Sequence, residues 1–305
     1  MFDALIGQPQ AVELLERAIA KNRIAPAYLF AGSPGIGKSL AADCFIQQLL
    51  SSTRQQIRNH PDLLWVEPTY LHQGKRMSAL EAEAAGIKRK TPPIVRLEQI
   101  REITQFLSRP PLEAARSIVV IDQAETMPES AANALLKTLE EPGRATIILM
   151  APSVEAILPT LVSRCQRIPF YRLDSESMTR VLQQSGQGDI LSQPQILALA
   201  QGSPGAAIAH AEMLAAMPPE LLQSIEQPIQ SLREALTVAR SIAKMLDGET
   251  QLWLIDYLQQ VSWAEARNVH WLKALEKAKQ YLQAYVQPQL VWEVTLMNRI
   301  LTPVR

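Results

Sequence analysis

The sequence predicts an α/β domain followed by all-α domains, and two observations carry this prediction. Up to about residue 170, short apolar runs of strand length alternate with segments of helical period, as in parallel βαβ units. From 171 to 305 we see no confident strand, and amphipathic helical segments follow one another. We therefore expect a parallel-sheet domain over 1–170 and helical domains over 171–217 and 218–305, with the Pro218-Pro219 pair marking the second boundary.

Each element of the first part has its own local signal. The predicted elements are a helix over 8–22, a strand over 27–32, a helix to about 50, a strand within 60–68, a helix over 96–108, a strand over 116–122, a helix over 128–143, a strand over 145–152 and a short helix before 163. The helix over 128–143 ends in Pro142 and Gly143, a common stop signal. Residues 70–93 are rich in charged residues, alanine and glycine, so we expect an exposed insertion that is partly helical at best.

Composition excludes several classes of protein. Thirty basic and thirty acidic residues cancel, which argues against a chain that coats nucleic acid by itself. The two cysteines, Cys44 and Cys165, cannot build a disulfide framework or a four-cysteine zinc site, and the four histidines lack metal-ligand spacing. No signal peptide and no apolar run of about 18 residues is visible, so we expect a cytoplasmic protein.

A phosphate-binding loop is the most specific local motif. It matches G-x-x-x-x-G-K-[ST] in full, with Gly32, Ser33, Pro34, Gly35, Ile36, Gly37, Lys38 and Ser39. Glycines let backbone N–H groups turn towards phosphate oxygens, and the following helix offers its N-terminus to the anion. Lys38 would reach the β- and γ-phosphates, and the Ser39 hydroxyl would bind Mg²⁺. A fold relic that no longer binds nucleotide is the alternative.

An acidic residue should complete such a site from a neighbouring strand. Asp122, at the end of Ser-Ile-Val-Val-Ile-Asp, fits the role of holding Mg²⁺ through water; a strand-end acid at a turn is the simpler alternative. AAA+ ATPases usually carry glutamate next, but this chain has Gln123, which cannot accept a proton as a carboxylate does. Glu125 could substitute, although at a strand-to-loop turn it need not face the site. We therefore expect hydrolysis to be weak or absent even if ATP binds.

Several strings together resemble the AAA+ subunits of bacterial DNA polymerase III clamp loaders. In order, they are Ile6-Gly7-Gln8, Ala27-Tyr28-Leu29-Phe30, the phosphate loop, His60-Pro61-Asp62-Leu63, the string A-A-N-A-L-L-K-T-L-E-E-P over 131–142, and Ser163-Arg164-Cys165-Gln166. The 131–142 string and S-R-C are far more specific than a phosphate loop alone. The matching motifs cover roughly 1–170, and the helical remainder agrees in length and character.

This resemblance implies a fold, partners and a role for one arginine. It implies a RecA-like AAA+ P-loop domain over 1–170, a small helical lid over 171–217 and a helical collar over 218–305 that joins a ring. The partners would be tau/gamma and delta subunits in a hetero-pentamer that loads the sliding clamp (beta) onto primed DNA. Arg164 would act in trans as a finger on the neighbour's ATP. A helix-end cation is the plainer interpretation of Arg164.

Departures from the family pattern favour its delta-prime branch over the ATP-hydrolysing tau/gamma branch. Gln123 replaces the catalytic glutamate, Gly205 stands where motor subunits carry a phosphate-sensing arginine, and Ala151-Pro152 lack a polar sensor. ATP or ADP with Mg²⁺ would then bind for structural reasons. An active tau/gamma-like motor or a stand-alone DNA-dependent ATPase stays open if Glu125 replaces the missing acid. An unrelated P-loop kinase is a weaker alternative.

Two further expectations concern zinc and DNA. Family members commonly carry a four-cysteine zinc module after the P-loop helix, but residues 51–60 contain no cysteine, so we expect no zinc. The segment 70–101 is locally basic through Lys75, Arg76, Lys88, Arg89, Lys90, Arg96 and Arg101. Phosphate contacts from it would be salt-sensitive. We favour a solvated insertion and expect the isolated chain to bind primed DNA only weakly.

Overall fold

The chain folds into two compact units, Met1–Val181 and Leu182–Arg305. The structure is a computed structural model that describes residues 2–50, 57–86, 91–227, 229–265 and 269–301. The division into three domains with boundaries at 170 and 217 is finer than these two units and stays a prediction.

The first unit is built on a five-stranded parallel sheet with a separate two-stranded hairpin. The strands are β1 Ala27–Ala31, β2 Leu63–Val66, β3 Tyr70–His72, β4 Lys75–Met77, β5 Ser117–Ile121, β6 Ala145–Ala151 and β7 Gln166–Pro169. The sheet order is β2-β5-β6-β1-β7, with every pairing parallel, and β3 pairs with β4 antiparallel. Every residue of β1, β5 and β6 is buried, so the central strands read as unbroken apolar runs.

The helices of the first unit follow the predicted order. They are α1 Pro9–Ala20, α2 Lys38–Leu50, α3 Ala79–Ala84, α4 Leu97–Leu107, α5 Glu129–Glu140, α6 Pro159–Val162 and α7 Ser175–Gln184, the last of which runs across the boundary between the units. Leucine, isoleucine and alanine from α4 and α5 pack on the sheet in one continuous core. This packing fixes the ends of the strands from which the loops of the site emerge.

Two features of the sheet differ from the sequence prediction. The acid-bearing strand β5 was expected beside β1, but β6 lies between them. Strand β7 was not predicted at all. It pairs with β1 at the sheet edge, and its first two residues, Gln166 and Arg167, are exposed. A four-residue edge strand with polar residues and a proline carries no apolar run that a sequence pattern could detect.

The described part of the insertion 70–93 contains more regular secondary structure than the sequence predicts. The hairpin β3–β4 turns at Gln73 and Gly74, whose φ angles of 48° and 79° both lie in the left-handed region. A two-residue hairpin turn with two positive φ angles is a common strand connection, and glycine adopts it without strain. The prediction of a segment without strands was therefore wrong for 70–77, while α3 agrees with the expected partial helix. Residues 87–90 lie outside the described residues.

The carboxylate of Asp62 holds the loop that leads into β5. It accepts backbone N–H bonds from Leu112 at 2.6 Å, Glu113 at 2.8 Å and Ala114 at 2.7 Å. Burial alone would raise the pKa of Asp62, but these three bonds outweigh it and lower the pKa. The His-Pro-Asp string thus has a structural reason: its acid anchors a neighbouring loop.

The second unit contains only helices among its described residues. They are α8 Pro194–Ala200, α9 Pro204–Ala216, α10 Pro219–Glu226, α11 Leu232–Met245, α12 Gly248–Glu265, α13 Val269–Gln283 and α14 Pro288–Leu301, with a short 3₁₀ turn at Gly188–Ser192. Tryptophan N–H groups join them: Trp253 donates to His210 Nδ1 and Trp292 to Gln251 Oε1, each at 2.9 Å. In the described residues, no helix has the length and apolar character that crossing a membrane requires.

Candidate functional site

The phosphate loop is anchored at its first residue by two neighbouring strand ends. The Gly32 N–H donates to the Ala151 carbonyl at 3.1 Å, which fastens the loop to the end of β6. A Cβ at Gly32 would stand 2.5 Å from the Phe170 carbonyl oxygen, so only glycine fits there. The loop consequently starts from a fixed point at the carboxyl edge of the sheet.

The rest of the loop uses the backbone freedom that the motif predicts. Gly35 and Gly37 have φ angles of 75° and 101°, a region that favours glycine. Helix α2 begins directly afterwards at Lys38, so its N-terminus faces the loop. An α-helix N-terminus beside such a loop presents backbone N–H groups to an anion.

Lys38 folds back onto the loop that carries it. Its ammonium donates to the carbonyl of Gly32 and to that of Ser33, the latter at 2.9 Å. Burial lowers the pKa of Lys38, and the charges of Asp122 and Glu125 oppose that decrease. The cation therefore lies between two backbone acceptors and two carboxylates, within a region where phosphate oxygens could replace the carbonyls as acceptors.

A cleft of about 530 Å³ opens beside the loop. Its lining comes from the loop, the start of α2, and the ends of β5 and β6: Pro34, Gly35, Gly37, Lys38, Ser39, Leu40, Asp122, Gln123, Glu125, Met150, Ala151 and Pro152. The structure thus brings together six of the nine predicted nucleotide-binding residues. The other three, Gly32, Ser33 and Ile36, shape the loop without lining the cleft.

Gln8 is a supporting residue that sequence reasoning used only as a family marker. Its side chain is buried, and its Nε2 donates to the carbonyls of Ile36 at 3.2 Å and Tyr171 at 2.7 Å. Its Oε1 accepts the Tyr171 N–H at 3.0 Å. Gln8 therefore ties the phosphate loop to the segment after β7. The signal that could have revealed it is a polar residue in an otherwise apolar stretch before α1.

Asp122 and Gln123 follow β5 and enter the cleft. The Asp122 N–H donates to the Val66 carbonyl at 2.9 Å, which extends the pairing with β2. Its Oδ1 accepts the Gln123 N–H at 2.8 Å. Gln123 has a φ angle of 47°, so the chain turns sharply at the position where AAA+ motors carry their glutamate.

Glu125 faces the cleft, which the sequence could not establish. It lies in a single 3₁₀ turn over Ala124–Thr126, and its Oε2 is buried without a hydrogen-bond partner. Burial raises the pKa of Glu125, Lys38 opposes that increase, and Asp122 adds to it. A buried carboxylate oxygen without a partner destabilises the ionised form, so this group gains from a cation or a proton.

The oxygen donors in the cleft suit a magnesium ion. Ser39 contributes a hydroxyl, and Asp122 and Glu125 contribute carboxylates, which are the hard ligands that Mg²⁺ prefers together with phosphate oxygens. The buried Glu125 oxygen without a partner is the structural observation that supports this fit. Met150, Ala151 and Pro152, which also line the cleft, supply no polar side chain apart from the Met150 thioether, which accepts a long 3.9 Å contact from the Ser39 hydroxyl.

Arg164 lies outside the lining of this cleft, just after α6. Its Nη2 donates to Glu140 Oε1 at 2.7 Å, and its Nη1 donates to the Thr160 carbonyl at 3.1 Å. The Thr160 bond is the contact that a helix-end cation makes. The Arg164 side chain nevertheless remains 38% exposed, so it can contact another molecule.

Neither cysteine has the character of a nucleophile. Burial raises the pKa of the Cys165 thiol to about 11, which keeps it protonated at neutral pH. Cys44 is buried on α2. Both act as small packing residues, and in the described part of the chain no group of three or more His, Cys, Asp or Glu side chains forms a metal-binding cluster.

The predicted basic segment is partly neutralised in the fold. Arg76 forms a 2.5 Å ion pair with Glu102, and Arg96 donates to the Thr69 carbonyl at 3.4 Å. Lys75 and Arg101 are exposed. Lys88, Arg89 and Lys90 lie outside the described residues, so the DNA expectation for this segment stays a prediction.

Two family models match consecutive parts of the chain. The model described as "DNA polymerase III, delta subunit" matches residues 7–174, and the model described as "Cyanobacterial DNA polymerase III delta prime, C-terminal domain" matches residues 176–299. The first covers more than half of the chain. Most of the parallel-sheet unit and most of the helical unit are therefore each similar to a DNA polymerase III subunit family.

Individual relatives and a solved structure agree with the family models. DNA polymerase III subunit delta' of Bacillus subtilis is 30% identical over 185 residues, 56% of this chain and 50% of that protein. Subunit tau of the same organism is 28% identical over 178 residues, 58% of this chain and 30% of that protein. The chain thus matches half or less of the length of these two relatives. A DNA polymerase III gamma subunit-related protein from Thermotoga maritima shares the fold, with a TM-score of 0.59, 19% identity and coverage of 95% and 98% of the two chains.

Proposed function

Because the chain belongs to the DNA polymerase III delta-subunit family, we propose that it serves as the delta-prime subunit of a clamp loader. In this role it assembles with tau/gamma and delta subunits in a hetero-pentamer that places the sliding clamp on primed DNA. Its task is that of a scaffold and a donor: Arg164 contacts ATP held by the neighbouring subunit. Its own site binds ATP or ADP with Mg²⁺ for structural reasons.

The position of Arg164 is the observation that carries this proposal. The guanidinium lies outside the cleft that holds Lys38 and Asp122, and more than a third of its side chain is exposed. A cation that does not line its own chain's cleft is available to phosphates on another chain. There it would stabilise the negative charge that develops during hydrolysis, an effect worth about 10³–10⁵ in rate for the best arginine fingers.

The chain's own cleft has the groups for binding phosphate but a weaker set for hydrolysis. Lys38, Ser39 and the start of α2 supply cationic and N–H donors, and Asp122 supplies a carboxylate for Mg²⁺. Mg²⁺, when bound, would neutralise phosphate charge. For hydrolysis, by contrast, Gln123 lines the cleft with an amide that cannot accept a proton as a carboxylate does, and Ala151-Pro152 offer no polar side chain. This asymmetry favours nucleotide binding with little turnover.

A motor subunit is the second candidate function, and the direction of Glu125 favours it. The carboxylate lines the cleft with Asp122 and has a pKa raised by burial, as a general base often has. If Glu125 orients or deprotonates the attacking water, the chain hydrolyses ATP in its own cleft, without a neighbouring subunit. The two candidates therefore differ in one measurable property of the isolated chain.

Steady-state hydrolysis and assembly together test the proposal. The purified chain is assayed for ATP turnover with and without primed DNA, and is then mixed with tau/gamma and delta subunits, clamp and primed DNA. We expect negligible turnover alone, co-elution in one complex, and clamp loading that disappears when this chain is omitted. Robust turnover by the isolated chain would favour the motor. Failure to enter the complex would refute both clamp-loader roles.

A further inference from the structure

The predicted finger is held by an acid on a different helix. Glu140 is the last residue of α5, and Arg164 follows α6, 24 positions later. The Glu140 carboxylate accepts from Nη2 at 2.7 Å, while the Thr160 carbonyl accepts from Nη1 at 3.1 Å. Both terminal nitrogens of the guanidinium are thus fixed by acceptors from separate elements.

Stability of the fold gives little reason for an acid at this position. An acid in the last turn of a helix faces the negative end of the helix dipole, which is unfavourable, whereas Lys137 in the same turn has the favourable charge. The Glu140 side chain is 53% exposed, and an ion pair between exposed side chains contributes little to folding. The Glu140–Arg164 pair therefore mainly determines the orientation of the guanidinium.

We propose that Glu140 is a positioning residue for Arg164, an inference that rests on the proposed action of Arg164 on a neighbouring subunit. A free arginine side chain loses considerable rotamer freedom when it is fixed in one geometry. Glu140 and Thr160 restrict the Arg164 rotamers before the neighbouring subunit binds, so less conformational entropy is lost during catalysis. A guanidinium has five N–H donors, so it can keep both contacts and still donate to phosphate oxygens.

Glu141 provides a matched control. It is the adjacent acid, it is exposed, and it caps the same helix end through its own backbone N–H bond to the Lys137 carbonyl. In the described structure Arg164 pairs with Glu140 and not with Glu141. Replacing either acid by glutamine removes one charge at the same place, but only one replacement removes the partner of the guanidinium.

The test measures ATP turnover in the reconstituted complex at the site adjoining this chain. The other motor subunits carry substitutions of their P-loop lysines, so the rate reports on that site alone. The variants of this chain are Glu140→Gln, Glu141→Gln, Arg164→Ala and the double variant Glu140→Gln with Arg164→Ala. Each is first checked by its melting temperature and by its co-elution with the complex.

We expect Glu140→Gln to lower kcat about threefold to fivefold, the range that an exposed ion pair can account for, with a smaller change in KM. Glu141→Gln should match the parent chain, and Arg164→Ala should lower kcat by roughly 1,000-fold. In the Arg164→Ala background, Glu140→Gln should add nothing, since its effect acts through the arginine.

The outcomes separate this inference from the function on which it rests. If Arg164→Ala leaves turnover unchanged, the proposed function itself fails. If Arg164→Ala acts as expected while Glu140→Gln equals Glu141→Gln, the positioning role is refuted. A faster turnover with Glu140→Gln would mean that Glu140 restrains Arg164. If Glu140→Gln lowers turnover as much in the Arg164→Ala background as in the parent chain, Glu140 acts through another group. Either result overturns the inference.

Discussion

Two charged regions of the first unit, the phosphate-loop cleft and the surface around Arg164, differ in burial and in completeness. In the cleft, Lys38 and Glu125 are partly buried, and this burial lowers the pKa of Lys38 and raises the pKa of Glu125, which favours the neutral form of each. At the surface, Arg164 is partly exposed and forms an ion pair with Glu140. Under the proposed function, the cleft binds nucleotide with little turnover, whereas the surface offers Arg164 to another chain. One subunit can therefore keep a nucleotide site for structure and contribute to catalysis elsewhere.

The largest expected effect on folding stability is at Asp62, which is part of neither region. Asp62→Asn places an amide against three backbone N–H donors and should cost about 3 kcal/mol of unfolding free energy at neutral pH. Because the folded-state pKa of Asp62 is lowered, its stabilisation is present above the ordinary value of 3.8 and is lost as the pH falls through the folded pKa. Urea unfolding at pH 7 and pH 3 measures both. Nucleotide affinity of the folded variant should be unchanged; a large change would mean that the loop and the cleft are coupled.

Lys38→Ala should remove most of the binding strength of the cleft. The loss of a buried cation that meets phosphate should weaken binding of a fluorescent ATP analogue about 100-fold, or roughly 3 kcal/mol. Lys21→Ala is the control, since Lys21 is an exposed lysine after α1. Fluorescence titration of the isolated chain gives both affinities. Equal affinities for the two variants would show that the loop is a relic that does not bind nucleotide.

Glu125→Gln should have a smaller effect, with a sign that depends on pH. Burial raises the folded-state pKa of Glu125, so the folded chain loses stability as the pH rises from the unfolded pKa through that raised value. Glutamine removes this loss, and the variant should be about 1 kcal/mol more stable at pH 8, discounted for partial exposure. The gain should shrink towards pH 4.5.

Urea midpoints across this pH range measure the difference, with exposed Glu16→Gln on α1 as the control. Destabilisation of the chain by Glu125→Gln at pH 8 would mean that the Glu125 carboxylate has a stabilising partner. In that case, the Glu125 carboxylate would already be satisfied in the folded chain, and the cleft would not need a cation or a proton there.

The sequence was sufficient for the parts of the fold that depend on local patterns. The central strands follow from unbroken apolar runs, and the loop from Gly32 to Ser39 follows from a motif whose glycines are required by sterics. Strand β7 carries no such run, and its pairing with β1 depends on the edge that β1 leaves available.

The parts of the candidate site that the sequence could not predict depend on tertiary geometry. Glu125 enters the cleft because Gln123 adopts a left-handed turn, which a non-glycine residue seldom signals in sequence. The Glu140–Arg164 pair joins residues that only the packing of α5 against α6 brings together. Local periodicity gives no information on either contact.

The most direct test of the division of labour compares two single variants in the reconstituted complex with clamp and primed DNA. ATP turnover is again measured only at the nucleotide site of the motor subunit that adjoins this chain. We predict that Arg164→Ala lowers it by roughly 1,000-fold, while Lys38→Ala stays within about twofold, or less than 0.5 kcal/mol of activation free energy. A larger loss with Lys38→Ala would contradict the account, because this chain's own nucleotide site would then drive or gate the complex.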